Sequence, residues 1–258
     1  MTEKKVGQAV SPAKGQKSAG ETACPTIIRL TTTASTMRDA AELAARGCEH
    51  GAAVVAEEQT AGIGRHGHSW HSEPGSGLYV SVVLRLPETT PILTLALGLA
   101  AVDAIRNTAG LVCDLRWPND VLIAEKKVAG IIVQMADAAA IAGIGINVNH
   151  SSFPPGLAPI ATSLRLQAGR IIDREALLAN LLTSIDDCCE ILRSGGNAAL
   201  LKMFSTASSY VNGKRVKVDL GGGTIEGVTI GLDDAGFLLV RKPDGSVETV
   251  LAGGVRPA

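Results

Sequence analysis

The chain has 258 residues, 46% hydrophobic and 19% charged, a globular composition long enough for one large domain and one small one. Its formal net charge of −1 argues against a protein that holds nucleic acid mainly through phosphates. Cys24, Cys48, Cys113, Cys188 and Cys189 make no CxxC, zinc spacing or disulfide framework, so they read as reduced thiols of a cytoplasmic protein.

Residues 1–20 are rich in Lys, Gly, Ser and Ala and lack the apolar core of a signal peptide. They read as a solvated, disordered tail. No downstream run reaches the length of a membrane span without a charge or a glycine, so no membrane partner is expected. Thr26–Leu30 is a short β-like run. Ser35 or Thr36 then caps an amphipathic helix on Met37, Ala40, Ala41, Leu43 and Ala44 that stops at Gly47. Capping is the simpler role for Ser35 and Thr36, although a helix N-terminus can also hold the polar end of a ligand.

Two apolar strands, Ala52–Ala56 and Leu78–Leu84, enclose a loop containing Gln59, Gly62, Gly64, Arg65, His66, Gly67, His68 and Trp70. Small residues allow close approach to the backbone, whose N–H groups can cradle an anion. Arg65 offers a planar fork for phosphate or carboxylate, and Trp70 a flat face for a nucleobase. Gly62, Gly64 and Gly67 spell GxGxxG, but Pro74, Gly75 and Gly77 follow where a dinucleotide fold needs a helix. A loop of about twenty residues is uncommon unless it is functional or disordered, so the ligand is placed here. His66, His68 and His71 come without an acidic cluster, and no protein metal site is expected.

Pro91–Thr108 is an apolar scaffold helix. The stretch Leu115–Gln134 carries a WPND turn with Arg116 beside Trp117, then Lys127 at the head of an apolar strand followed by Gly130. A lysine there is either an edge device or an anion binder. Ala138–Asn149 is another apolar strand, and its Gly143 and Gly145 suggest close approach of a backbone or ligand. A proline-rich loop leads to a long helix capped by Asp173, which holds Cys188 and Cys189 as packing thiols. From residue 212, four short alternating strands split by glycine turns read as a β-barrel of about 45 residues.

The order of these motifs resembles that of the biotin protein ligases (biotin–[acetyl-CoA-carboxylase] ligases) from about residue 26 to the end. The family loop motif GRGRxGR is matched by Gly62–His68, and KWPND by Arg116–Asp120. The family's K-[LV]-A-G-I-L-[VL] is matched by Lys127–Val133, and G-x-G-I-N by Gly143–Asn147. The resemblance implies an α+β fold with a mixed β-sheet and flanking helices, like that of class II synthetases, then an SH3-like barrel. Expected segments are a tail over 1–24, a catalytic domain over 25–211 and a C-terminal domain over 212–258.

The implied reaction activates biotin with ATP and Mg2+ as biotinyl-5'-AMP, then transfers biotin to a lysine of a biotin carboxyl carrier protein. By resemblance, Lys127 lies between the biotin carboxylate and the α-phosphate, and Arg65 meets phosphate oxygens. Trp70 stacks on adenine, and Asn119 and Asn147 contact the nucleotide. Ser35, Thr36 and Gln59 bond the ureido head, Gly62, Gly130 and Gly143 line the pocket, and Tyr79 and Ser81 carry over less securely. The role of Asp120 stays open between metal, acceptor lysine and turn support. Ile63 and His68 stand where the family has arginines, which implies weaker retention of the intermediate. No helix-turn-helix module fits before the core, so no repressor role and no DNA partner are expected, and a homodimer is left open. Two other readings compete: a lipoate protein ligase, disfavoured by the WPND–KVAG pairing with the terminal barrel, and a non-catalytic biotin- or carrier-binding module, disfavoured by Arg65, Lys127 and Asn119.

Overall fold

A computed structural model describes residues 26–86, 91–136, 139–220 and 222–258. The expected N-terminal tail and Cys24 lie outside the described residues. The chain divides into two compact units, Met1–Arg85 with Val133–Gly145, and Leu86–Ile132 with Ile146–Ala258. Strands β6 (Lys126–Ala136) and β7 (Ala139–Asn147) run through both. The sheet they belong to has the order β1-β2-β3-β7-β6-β5-β4.

In the first unit, β1 (Ile27–Thr33) pairs parallel with β2 (Ala53–Gln59), which pairs antiparallel with β3 (Gly77–Leu84), so the sheet is mixed. All of β3 is buried, and its sequence accordingly runs apolar without alternation. Helix α1 (Thr36–Ala45) packs on β2 and β3 and buries Met37, Ala40 and Ala44, a stripe at helical spacing. Ser35 occupies its N-cap, but the side chain makes no capping hydrogen bond, contrary to the simpler role read for it.

In the second unit, β4 (Asp114–Arg116), β5 (Asp120–Ile123) and the start of β6 form an antiparallel ladder. Helix α2 (Pro91–Ala109) is apolar on nearly every face and packs against α4 (Arg174–Arg193) and α5 (Asn197–Ala207). It is long and apolar enough to cross a bilayer by length and composition, yet it is mostly buried as a core helix. Short α3 (Leu164–Ala168) precedes α4, whose N-terminus is capped as expected: the Asp173 carboxylate accepts from the N–H groups of Glu175 at 2.9 Å and Ala176 at 3.1 Å. Helix α5 was not anticipated. Gly195 and Gly196 end the preceding pattern, and α5 buries only Leu200 and Phe204, too narrow a stripe to stand out in sequence.

The C-terminal part of this unit is an antiparallel sheet of β8 (Asn212–Asp219), β9 (Thr224–Leu232), β10 (Leu238–Arg241), β11 (Val247–Val250) and β12 (Gly254–Pro257), ordered β11-β10-β9-β8-β12. It has five strands where four were read. The fifth carries Pro257, which a strand tolerates at the sheet edge that β12 occupies beside β8.

Candidate functional site

Each unit carries one cluster of the sequence-singled residues, and the two clusters differ in chemistry. In the first unit, the turn from β1 into α1 brings Ser35 and Thr36 down against β2 and β3. Thr36 donates from its backbone N–H to Gln59 Oε1 at 2.9 Å and from its hydroxyl to the same oxygen at 3.0 Å. A hydroxyl has one proton, so the 2.8 Å bond between Thr36 and Ser81 has Ser81 as donor. Gln59 Nε2 in turn donates to Ser72 Oγ at 3.4 Å. Ser35, Thr36 and Ser81 are buried, and every member of the set is neutral. Tyr79 is buried beside them on β3 and donates to the Glu73 carbonyl at 3.1 Å.

The glycine-rich loop is a small hairpin. Trp70 N–H donates to the Gly62 carbonyl at 2.9 Å, Gly64 N–H to the His68 carbonyl at 2.7 Å, and a 3₁₀ turn over Arg65–Gly67 forms its tip. No long helix follows the glycines, as expected from Pro74 and Gly75. Ile63 sits on this hairpin 46% exposed. The approach that the strand glycines of β7 foretold is made at Gly145 by Trp70. A Cβ there would stand 2.5–2.8 Å from three indole atoms, closer than any real contact. Gly143, buried on the same strand, lies two residues before it.

In the second unit, WPND is the hairpin turn between β4 and β5, and its register sets Arg116 opposite Asp120. Arg116 reaches Asp120 Oδ2 from Nε at 3.2 Å and from Nη2 at 2.6 Å, while Lys127 Nζ holds Oδ1 at 2.5 Å. A β-bulge makes the second ion pair possible. Asp120 pairs with Gly130 and Val121 with Ala129, but Leu122 then pairs with Lys127 rather than Val128. The skipped residue reverses the alternation, so Lys127 falls on the same face as Asp120 instead of the opposite one. Gly130 faces Asp120 with no side chain.

The backbone of Lys127 is pinned by residues 160–162: its N–H donates to the Ile160 carbonyl at 2.8 Å, and its carbonyl accepts from Thr162 at 2.9 Å. Asn147 Nδ2 donates to the Thr162 carbonyl at 3.1 Å, which ties Asn147 to the same segment. Asn119 bonds across to β6 through Ile131, with Nδ2 to the Ile131 carbonyl at 3.1 Å. Lys127, Asp120, Asn119, Gly130 and Asn147 thus share one framework. Ser35, Thr36, Gln59, Gly62, Arg65, Trp70 and Gly143 belong to the first unit.

Burial pushes the Asp120 carboxyl upward, but the charges and hydrogen bonds of Lys127 and Arg116 outweigh it and hold the pKa below the ordinary 3.8. Burial pushes the thiols of Cys113 and Cys188 up to about 12 and that of Cys189 to about 11, consistent with packing rather than nucleophilic roles. Arg116 is the member of the charged cluster that sequence reading left without a role, and its signal was present: a hairpin on WPND pairs residues 116 and 120.

Comparison with known proteins gives two family matches along the chain. The biotin/lipoate A/B protein ligase family matches residues 27–150, and the biotin protein ligase C-terminal domain matches residues 212–255. The bifunctional ligase/repressor BirA of Bacillus subtilis is 37% identical over 221 residues, covering 82% of this chain and 68% of that protein. The biotin–[acetyl-CoA-carboxylase] ligase of Mycobacterium tuberculosis is 33% identical over 233 residues, covering 86% of this chain and 85% of that protein. A biotin protein ligase from Aquifex aeolicus, solved in complex with biotin and ATP, aligns with a TM-score of 0.82 at 31% identity over 90% of this chain and 99% of that one.

Proposed function

The chain belongs to the biotin/lipoate A/B protein ligase family, and from that premise we propose that it activates biotin with ATP as biotinyl-5'-AMP and transfers biotin to a lysine of a biotin carboxyl carrier protein. The observation that carries this reading is the neutral, hydrogen-bonded set of buried Thr36 and Ser81 with half-buried Gln59. A ureido group is uncharged, with one carbonyl acceptor and two N–H donors, and hydroxyls and amides satisfy both without an unpaired charge. Ser35 lines the same turn and offers a further hydroxyl. Gly62 packs against the same set, where a Cβ would stand 3.1–3.2 Å from Gln59, Trp70 and Ser72, while Gly130 and Gly143 are read as lining the pocket by their place in the family motifs.

In the first step the biotin carboxylate attacks the α-phosphorus of ATP and pyrophosphate leaves. Two anions must meet, so cations that offset their repulsion lower the barrier. Lys127 donates one of its three ammonium protons to Asp120 and offers its charge to carboxylate and α-phosphate, while Arg65 supplies a planar donor set for phosphate oxygens. Trp70, seated on Gly145, presents an aromatic face to adenine, and Asn119 and Asn147 contribute amides to the nucleotide. In the second step the acceptor lysine amine attacks the biotinyl carbonyl, AMP departs and the amine loses a proton.

Mg2+ accompanies ATP and screens its phosphates. Asp120 is a poor fit as its protein ligand, because both carboxylate oxygens already pair with cations. Incubation with ATP, labelled biotin and an isolated carrier domain tests the function: label appearing on one carrier lysine, and absent when ATP is omitted, is the expected outcome. Failure to label any carrier while hydrolysing ATP would contradict it.

A further inference from the structure

Trp117 has no place in the reaction described above, yet it sits between Arg116 and the turn residues Asn119 and Asp120. It is 3% exposed, and its indole N–H donates to the Gly236 carbonyl at 2.9 Å across 119 residues of sequence. Gly236 belongs to the β9–β10 turn, which is closed on itself. Asp233 N–H bonds to the Phe237 carbonyl at 2.9 Å, and the Asp233 carboxylate accepts from the N–H groups of Ala235 at 3.0 Å and Phe237 at 2.8 Å.

The same glycine has a φ of +87° and presses on the helices: a Cβ there would stand 3.1 Å from Leu95, 3.2 Å from Ile92 and 3.4 Å from Leu201. The acceptor carbonyl is therefore fixed by its own turn and by α2 and α5. Three other residue pairs join the root of the C-terminal sheet to the same ladder. Ser208 Oγ donates to the Leu115 carbonyl at 2.5 Å, and Ser209 donates to the Asp114 carboxylate from N at 2.8 Å and Oγ at 2.6 Å. Lys214 pairs with Glu125, in the β5–β6 turn, at 3.5 Å.

We infer that the C-terminal sheet positions the charged cluster, and that the bond from the Trp117 indole to the Gly236 carbonyl fixes where the β4–β5 turn holds Asn119 and Asp120. Trp117 and Asp233 are positioning residues: one makes the link, the other holds the turn that presents its acceptor. Reacting groups displaced by about 1 Å lose up to about 10²-fold in rate even when the change lies away from the chemistry. A buried carbonyl left without its donor gives the turn a reason to shift.

The effect is read in adenylation and so rests on the ligase function proposed above. Trp117→Phe keeps an aromatic ring and removes the donor. Its single-turnover adenylation rate at saturating biotin and ATP is expected to fall about 10-fold, with biotin affinity within twofold of the parent. Asp233→Ala is expected to lower the rate several-fold alone and to add nothing in the Trp117→Phe background, because both remove the same link. Leu181→Ala, in the α4 core, serves as a comparably destabilised control with unchanged rate.

An unchanged rate in Trp117→Phe, or losses that multiply in the double variant, would overturn the inference. Absence of adenylation in the parent chain would instead overturn the proposed function. Amide exchange then decides the inference: the Ile131 N–H, bonded to the Asn119 carbonyl at 3.0 Å, should exchange about 10-fold faster in Trp117→Phe but not in Leu181→Ala. Equal exchange in the two variants would refute it.

Discussion

The hydroxyl and amide cluster of the first unit and the ion-paired cluster of the second answer opposite electrostatic demands. Thr36 and Ser81 are closed away and Gln59 half-buried with no formal charge, an arrangement that is stable because the buried polar atoms find partners. Arg116, Asp120 and Lys127 place two cations on one carboxylate at a partly open position. The first arrangement suits a neutral head group, the role proposed for it. The second suits a reaction between anions, the role proposed for it. Residues of the first should therefore govern affinity and residues of the second should govern rate, and substitutions can break or sharpen that separation.

The largest effect is expected at Lys127. Lys127→Ala removes a preorganised cation, and adenylation measured as pyrophosphate exchange should fall roughly 10²–10³-fold while biotin binding changes little. A rate equal to that of the parent would remove Lys127 from the chemistry.

Next comes Thr36→Val, isosteric but unable to hydrogen-bond through its side chain. Gln59 loses a donor and Ser81 an acceptor, a cost of about 1–3 kcal/mol that should appear in the biotin Kd measured calorimetrically. The adenylation rate at saturating biotin should stay within a few-fold. A selective loss of rate with intact affinity would collapse the distinction between the clusters.

Asp120→Asn tests the charged cluster through stability. It removes the carboxylate shared by Arg116 and Lys127, which are only partly exposed, at a cost of roughly 1–3 kcal/mol between the surface and buried limits. Because the folded-state carboxyl is depressed below 3.8, its stabilisation is complete at neutral pH and is lost as pH falls from 3.8 through the lower folded value. Unfolding curves of parent and variant should therefore differ at neutral pH and converge in acid. A gap that persists unchanged into acid would show that the ion pairs are not its source.

The smallest effect is expected at Gly145. Gly145→Ala forces the Trp70 ring to move, and the KM for ATP should rise several-fold with biotin affinity unchanged. Trp70 fluorescence should shift in parallel, against the constant background of buried Trp117. An unaltered spectrum would mean the ring does not rest on Gly145 in solution.

Much of this was legible in the sequence because scarce residue types sat in special places. Trp70 and Arg65 in a glycine-rich loop, and Lys127 at the head of an apolar strand, stood out against their surroundings. Ser35 and Thr36 were ambiguous, since the residues that cap helices also suit neutral polar ligands; the structure shows that Ser35 makes no capping bond, which speaks against the simpler role. The bulge that turns Lys127 toward Asp120 left no trace, because strict alternation along KKVAG places the two side chains on opposite faces. Strand glycines announced a close neighbour but not its identity, and the indole at Gly145 comes from a loop 75 positions earlier. Trp117 stood out only as a scarce residue beside Arg116 in the WPND turn, and it is buried against a distant turn, a contact that depends on tertiary packing alone.

ATP–pyrophosphate exchange, run in parallel with biotin, with lipoate and with no acid, tests the central claim most directly. Biotin-dependent exchange, with background rates for lipoate and for no acid, is the expected result. Exchange driven by lipoate, or by neither acid, would contradict the assignment of the neutral cluster to a ureido head group.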